Sequence, residues 1–238
     1  MEHPLLMTYG PVEGWLILLL LGGTSIGFFS YQVTKATRLV MLGAPDARFD
    51  SWGARFSEVL TGWLGQKRVL EDKIVGTMHV LMFWGFLMLS TDMFDLATAN
   101  YFSENVLPAI LLNPWNGMVE LGYALALVGC LAALTRRMVF TPEKLKGESQ
   151  LEGNIILILI LTITSTAFVI ESIDSPSSTW EPIGAWIAVQ GVSESAVVGS
   201  YWGHILAICV FFILIPLSKH MHLVMAFPNV FFHDMQPL

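Results

Sequence analysis

His204 and His222 stand eighteen residues apart, which is five turns of an α-helix at 3.6 residues per turn. On one continuous helix they share a face and lie about 27 Å apart along the axis, close to the ~30 Å of a bilayer's hydrocarbon core. The segment between them, 205-ILAICVFFILIPLSKHM-221, is almost wholly apolar. Imidazoles near opposite ends of one membrane helix point to ligands for redox centres stacked across the membrane. A third histidine, His79, lies near the start of another apolar segment and can face one of them. A haem sits between helices when two imidazoles project inward at the same depth. His79 lies six residues after Lys73, and His222 three after Lys219. One six-coordinate haem b between the two segments is therefore geometrically possible, with Lys219 free to snorkel and Pro216 free to bend the helix end. The plain alternative is that both are polar residues at the interface.

His220 is two residues from His222, and on a helix it points nearly opposite. It is expected off the haem face, meeting a propionate, a quinone head group or the interface. His204 lies toward the other end of its span. Ten residues beyond His79 comes Leu89, which cannot ligate, while Met88 and Met93 read as packing. His204 then holds a five-coordinate haem, a haem with an unrecognised partner, or none. With Asp92 and Asp95 it could instead exchange protons at a quinone head group; solvated helix ends are the plain reading of the two aspartates. Gly76, Gly85 and Gly203 lie in helices beside the histidines, where Gly costs about 1 kcal/mol against Ala. Close approach of a flat macrocycle or of another helix accounts for them, and helix packing is the commoner cause. Cys130 and Cys209 fall inside apolar runs without CxxC company. No zinc site or iron–sulfur cluster is encoded by them, and they read as small core residues.

The elements that must position these groups are membrane spans. The chain has 238 residues, a mean hydropathy of +0.63 and 13% charged residues, against about 25% in a soluble domain. Its net charge of −7 argues against nucleic-acid binding. Five apolar segments, about 12–34, 75–97, 117–136, 153–172 and 198–222, each approach the ~20 residues needed to cross. Helices are required, because backbone in lipid must satisfy its own hydrogen bonds and the runs do not alternate as barrel strands do. The first run lacks a basic start and is too long for a cleavable signal peptide. All twelve Lys and Arg fall on one side of a five-span arrangement, in the 35–74 and 136–152 loops and at Lys219. The other side carries acids alone, among them Glu13, Asp92, Asp95, Glu120 and Glu171. The positive-inside rule places the N-terminus outside and the C-terminus in the cytoplasm. Within the first basic loop, 52-WGARFSEVLTGWLGQKRVL-70 mixes apolar and basic residues at helical spacing. It is expected to lie on the membrane surface with Trp52, Phe56, Val59, Leu60 and Trp63 dipping in, as an anchor or as a docking platform. The 173–197 loop, with Trp180 and Trp186, is expected to form a short cap.

The five-span, N-out bundle with two histidines eighteen apart on its last span resembles the membrane cytochrome b (gamma) subunit of respiratory nitrate reductase. The resemblance implies that the last span gives one ligand to each of two haems b, at His204 and His222, with His79 as the span-two partner of His222. The outer haem's span-two ligand has no counterpart, because that position falls near Leu89. A closer resemblance is to the membrane domain of heterodisulfide-reductase-like iron–sulfur oxidoreductases. It rests on 64-LGQKRVL-70 leading into 76-GTMHVLMFWGF-86, and on 219-KHMHLVMAFPNVFF-232. That family includes electron-transfer-flavoprotein:menaquinone oxidoreductases, whose bundle is followed, in the same chain or in a partner, by a cysteine-rich cytoplasmic domain. The chain stops at Leu238, where such a domain would begin, so the iron–sulfur part is expected either on a separate subunit or beyond this sequence.

The expected protein is an all-α, five-span membrane bundle of the cytoplasmic (inner) membrane, one domain over 1–238, with a surface helix and a docking tail at 223–238. It is expected to be the cytochrome b subunit of a respiratory oxidoreductase and to pass electrons between a cytoplasmic iron–sulfur partner and menaquinone. An electron-transfer flavoprotein would stand upstream. His79, His222, His204 and His220 are the cofactor candidates, and His204, Asp92 and Asp95 the quinone candidates. The alternative is a haem-free membrane anchor for a soluble redox subunit. A transporter is disfavoured, because inverted repeats and broken helices are not evident.

Overall fold

Apolar side chains in lipid force the backbone to bond to itself, and this chain does so as helix. The computed structural model describes residues 3–43, 48–91, 109–140, 148–173 and 179–235. Five helices are long and apolar enough to cross a membrane: α1 (Gly14–Val40), α3 (Lys73–Ser90), α4 (Ala109–Val139), α5 (Glu148–Glu171) and α7 (Glu194–Leu214). Shorter helices are α2 (Trp52–Glu58), α6 (Pro182–Gln190) and α8 (His222–Phe231). A two-residue hairpin, β1 (Thr8–Tyr9) on β2 (Val12–Glu13), precedes α1 and rests on α7 where the Trp202 indole donates to the Tyr9 hydroxyl at 2.7 Å. The five apolar segments thus coincide with five long helices, with shifted ends. α1 continues to Val40 instead of ending near residue 34, and α4 starts at Ala109 instead of near 117.

The long helices pack in the order α3, α4, α5, α7, α1, and α3 does not lie along α7. The α3–α4 contact is the tightest, and small residues make it so. A Cβ on Gly85 would come within 2.6 Å of the Ala126 nitrogen and 2.7 Å of the Gly122 oxygen. One on Gly129 would meet the Met78 oxygen at 2.9 Å. Gly85 is therefore explained by another helix, the small-residue packing that membrane interfaces favour. Gly76 sits against the backbone of Val69 and Leu70 in the preceding 3₁₀ turn, while Gly203 has only the Thr166 methyl, at 4.0 Å. On the far side, Ile156 and Ile163 of α5 join Ala207 and Phe211 of α7 in a buried cluster, with Phe86 of α3 reaching in from across the seam.

The last expected span does not form as one helix. α7 ends at Leu214; a 3₁₀ turn covers Ile215–Leu217, Ser218 is extended (φ −125°, ψ 176°), a second turn covers Lys219–Met221, and α8 begins at His222. Pro216 lacks the N–H that would continue the ladder, and the Ser218 hydroxyl accepts from the His220 N–H, capping the new start. His204 and His222 therefore do not share a continuous helical face.

The 52–64 segment is helical, but not as one uniform stripe. α2 passes into a π-helical turn, Val59–Leu64, closed by Gly65 N–H donating to the Leu60 oxygen at 2.8 Å. Trp52, Phe56 and Leu60 are exposed, whereas Val59 is buried and Trp63 packs between Phe83 and Phe227. The segment is bracketed by Ser51 and Gln66, both at φ +51°, a conformation costing a non-glycine residue roughly 1 kcal/mol.

The expected cap is present as α6, and its anchor is a buried acid. Glu120, 3% exposed in the middle of α4, accepts from the Ile183 N–H at 3.0 Å and the Gly184 N–H at 2.8 Å. A carboxylate at a helix N-terminus meets orphan donors and a favourable dipole. Glu120→Ala is expected to cost about 2 kcal/mol, read as a lower thermal midpoint in detergent. Glu120→Gln keeps an acceptor and should lose less; equal stability of all three proteins would refute the anchor.

Candidate functional site

His79, Phe83 and Phe86 follow at i, i+4 and i+7, so they share one face of α3. That face looks across the seam, where Phe86 meets Phe211 of α7 with ring centres 6.4 Å apart. The adjoining face, about a quarter turn round the helix, carries Met78, Met82 and Gly85 against α4. Tight backbone contact on that face thus fixes the rotation at which α3 presents its aromatic and imidazole groups.

Because α8 starts afresh after the break, His222 is carried back toward α3. The rings of His79 and His222 stand 6.5 Å apart, centre to centre, with planes inclined at 36°. Imidazole nitrogens sit about 2 Å from a ligated metal, with the ring centre about 1 Å further back, so two rings facing each other across one metal have centres ~6 Å apart. The observed spacing fits. Nitrogen chemistry fits as well. His222 Nδ1 lies 2.9 Å from the Lys219 carbonyl oxygen, to which a neutral ring donates its proton, leaving the Nε2 lone pair for a metal. His79 Nδ1 is buried without a hydrogen-bond partner, so the fold alone does not use it. Among the described residues no group of three or more His, Cys, Asp or Glu side chains could hold a bare metal ion. Two opposed imidazoles suit an iron that brings its other four ligands in a porphyrin.

Aromatic packing sets the spacing of α3 and α8. Trp63, from the π-helical turn, stands edge-on to Phe83 of α3 at 5.6 Å and to Phe227 of α8 at 5.4 Å. Phe83 also lies parallel to His79, 13° between planes. Arg55, 3% exposed, donates to the Phe231 and His233 carbonyls at 2.9 and 3.0 Å and to the Asp50 carboxylate at 2.9 Å. That guanidinium holds the Asp50 carboxyl below the usual carboxylate range.

His220 does not point away from His222. Their ring centres are 5.9 Å apart, because residues 219–221 form a 3₁₀ turn rather than the α-helix on which residues i and i+2 diverge. Its Nδ1 is 3.1 Å from the Ser218 hydroxyl. Burial chiefly, and the neighbouring His222, hold its pKa below the ordinary histidine value.

His204 lies apart from these three, against α5. Its Nδ1 is 3.0 Å from both the Thr166 hydroxyl and the Ile163 carbonyl. The Thr166 hydroxyl donates to the Thr162 carbonyl at 2.6 Å, so the proton between Thr166 and the ring belongs to Nδ1, and Nε2 keeps its lone pair. Leu89, at the level where a second span-two ligand would stand, packs on the cluster of Val119, Tyr123, Ala167 and Phe168. Asp92 and Asp95 lie outside the described residues. Cys130 and Cys209 are buried free thiols.

The chain is similar to two oxidoreductases. It is 25% identical over 233 residues to a Bacillus subtilis protein named "Probable iron-sulfur-binding oxidoreductase FadF", covering 93% of this chain and 33% of that protein. It is 25% identical over 247 residues to the "EtfAB:quinone oxidoreductase" of Syntrophomonas wolfei, covering 95% of this chain and 34% of that protein. The chain thus spans about a third of the length of the curated relatives it matches. No family model matches, and no solved structure does. The similarity places the chain beside iron–sulfur and quinone-linked oxidoreductases, in keeping with the oxidoreductase kinship its motifs imply.

Arg55 and Trp63 escaped the sequence reading as site residues. Arg55 read as one basic residue among many, and Trp63 as a membrane anchor. The signal available for Trp63 was its i+4 spacing from Val59, which puts it on the buried side; Arg55 gave no comparable signal.

Proposed function

We propose that the chain is a cytochrome b-type membrane subunit of a respiratory oxidoreductase, holding one haem b between His79 and His222. It passes electrons between a cytoplasmic iron–sulfur partner, with an electron-transfer flavoprotein upstream, and a menaquinone-type quinone. The observation that carries this reading is the 6.5 Å spacing of two imidazoles on helices far apart in the chain, α3 and α8. The relatives' names, with iron–sulfur, EtfAB and quinone among their words, support the partner and acceptor classes.

The haem, when bound, supplies a one-electron centre. The chain's own groups do the rest. Lys219 O fixes the His222 tautomer and raises the basicity of its Nε2. Trp63 braces α3 against α8 through Phe83 and Phe227. His204, with Nδ1 held by α5, keeps an Nε2 that can accept a proton from a quinol hydroxyl or ligate a second iron; the packed Leu89 favours the quinone role. The basic end of the bundle is the cytoplasmic end by the positive-inside rule, and it is the end that carries His222, α2 and α8. The exposed Phe49, Trp52 and Phe56 form the docking face for the partner.

Protein purified from membranes is expected to give b-type bands in a reduced-minus-oxidised spectrum and one haem per chain in a pyridine extract. His204→Ala is expected to keep that ratio while slowing quinone turnover ~100-fold, the worth of a positioned proton acceptor. A ratio of two that falls to one in the variant would make His204 a haem ligand instead. A wild-type extract without haem would select the haem-free anchor.

A further inference from the structure

We infer that Arg55 is a positioning residue for His222: it pins the far end of α8 and so holds the helix that begins at His222 in register with His79. The inference rests on the ligand reading above. α8 is not the continuation of a membrane span, because two 3₁₀ turns and an extended Ser218 separate it from α7. Noncovalent contacts must therefore set its direction. At its C-terminal end the carbonyls of Phe231 and His233 both accept from Arg55 Nη1, and Arg48 Nη1 donates to the Phe232 carbonyl at 2.8 Å. The Phe231 carbonyl is one that a helix end leaves without a partner, and those of Phe232 and His233 follow it, at the pole where a cation is favoured.

Arg55 is itself held from the other side. Its Nε donates to the Asp50 carbonyl and its Nη2 to the Asp50 carboxylate, both at 2.9 Å. One planar guanidinium thus serves four acceptors at fixed angles, which a lysine ammonium cannot reproduce. The contact links residues 176 apart in the chain and is buried, so its loss leaves carbonyls unmet where water does not reach them. α8 is ten residues long, with His222 at one end and the Arg55 clamp at the other. A swing at the clamped end moves the imidazole, and a displacement of about 1 Å is already large against metal–nitrogen distances that hold to ~0.2 Å.

The test uses spin labels on the full chain in detergent or nanodiscs, at Thr77→Cys on α3 and Asn229→Cys on α8, both exposed; the native Cys130 and Cys209 are buried. Arg55→Ala is expected to widen the distance distribution at least twofold, and Arg55→Lys to widen it less. In haem-loaded protein, half or more of the low-spin signal is expected to become high-spin in Arg55→Ala. Widths and spectra unchanged from wild type would overturn the inference. Should Arg55→Ala not accumulate, Arg55→Lys and Asp50→Asn decide it the same way, since an unmoved distribution in both is incompatible with a clamp. A wild-type protein without haem would overturn the ligand reading and with it the link to His222. A haem-loaded wild type whose Arg55 variants are unmoved overturns the Arg55 role alone.

Discussion

His79→Ala is expected to remove the low-spin b-type haem while leaving the bundle folded. The two halves of that expectation come from different observations. The ring of His79 faces His222 at the spacing of two ligands across one iron, so its loss leaves at most a single imidazole on the metal, and haem content should fall at least tenfold or turn high-spin. The apoprotein, by contrast, loses no hydrogen bond at that buried nitrogen. His79 Nδ1 is a buried polar atom without a hydrogen-bond partner, and removing such an atom returns its desolvation cost of ~1–3 kcal/mol, which offsets the packing lost with the ring. Apoprotein thermal midpoints of wild type and variant should therefore agree closely. His222→Ala should give the same spectrum. His220→Ala should keep the low-spin bands, because the ring that faces His79 is that of His222, and His220 neighbours His222. The ligand assignment is refuted if the spectrum of His79→Ala matches wild type. A variant that loses its haem only because it unfolds would instead make His79 a structural residue.

The contrast between what could be read from the residues and what could not follows from the range of the interactions. Five spans are legible because apolar length is a local property, and lipid permits few backbone conformations. The pairing of His79 with His222 is legible because each lies within a few residues of a lysine, which marks the same end of the bundle for both. The break after Leu214 is only half legible. Pro216 announces it, but the extended Ser218 and the second 3₁₀ turn depend on a hydroxyl–backbone bond that many serines do not make. Misreading that turn as α-helix is what put His220 on the wrong side of its neighbour. Arg55 and Glu120 were illegible as anchors for another reason. Each serves backbone groups far away in sequence, Glu120 across 63 and 64 residues. Backbone carbonyls and N–H groups carry no residue signature, so nothing in the chain marks which charge will find them.

The α3–α4 contact gives the largest structural effect expected of a single substitution. Two readings of the glycines near the histidines are open, a flat macrocycle or another helix, and geometry separates them. At Gly85 the atoms in the way of a Cβ are the Ala126 nitrogen and the Gly122 oxygen, both main chain and both under 3 Å. No rotamer can relieve such a clash; the two helices must part. Overpacking typically costs 1–3 kcal/mol when side chains give way, and occasionally more. Here even Gly85→Ala should cost about 3 kcal/mol, the top of that range, and Gly85→Leu should prevent accumulation of folded protein. Gly203→Ala is the matched control, because its nearest neighbour is a threonine methyl at 4.0 Å, and its thermal midpoint should stay at the wild-type value. The effect also reaches the ligand face. His79 lies six residues from Gly85 on the same rigid helix, about 120° round its axis, so moving α3 off α4 displaces the imidazole from its place facing His222. Gly85→Ala should therefore lose haem at temperatures where Gly203→Ala retains it. Equal stability and equal haem retention in the two variants would show that α3 and α4 are not in backbone contact, and that the position of His79 is set by something other than that interface.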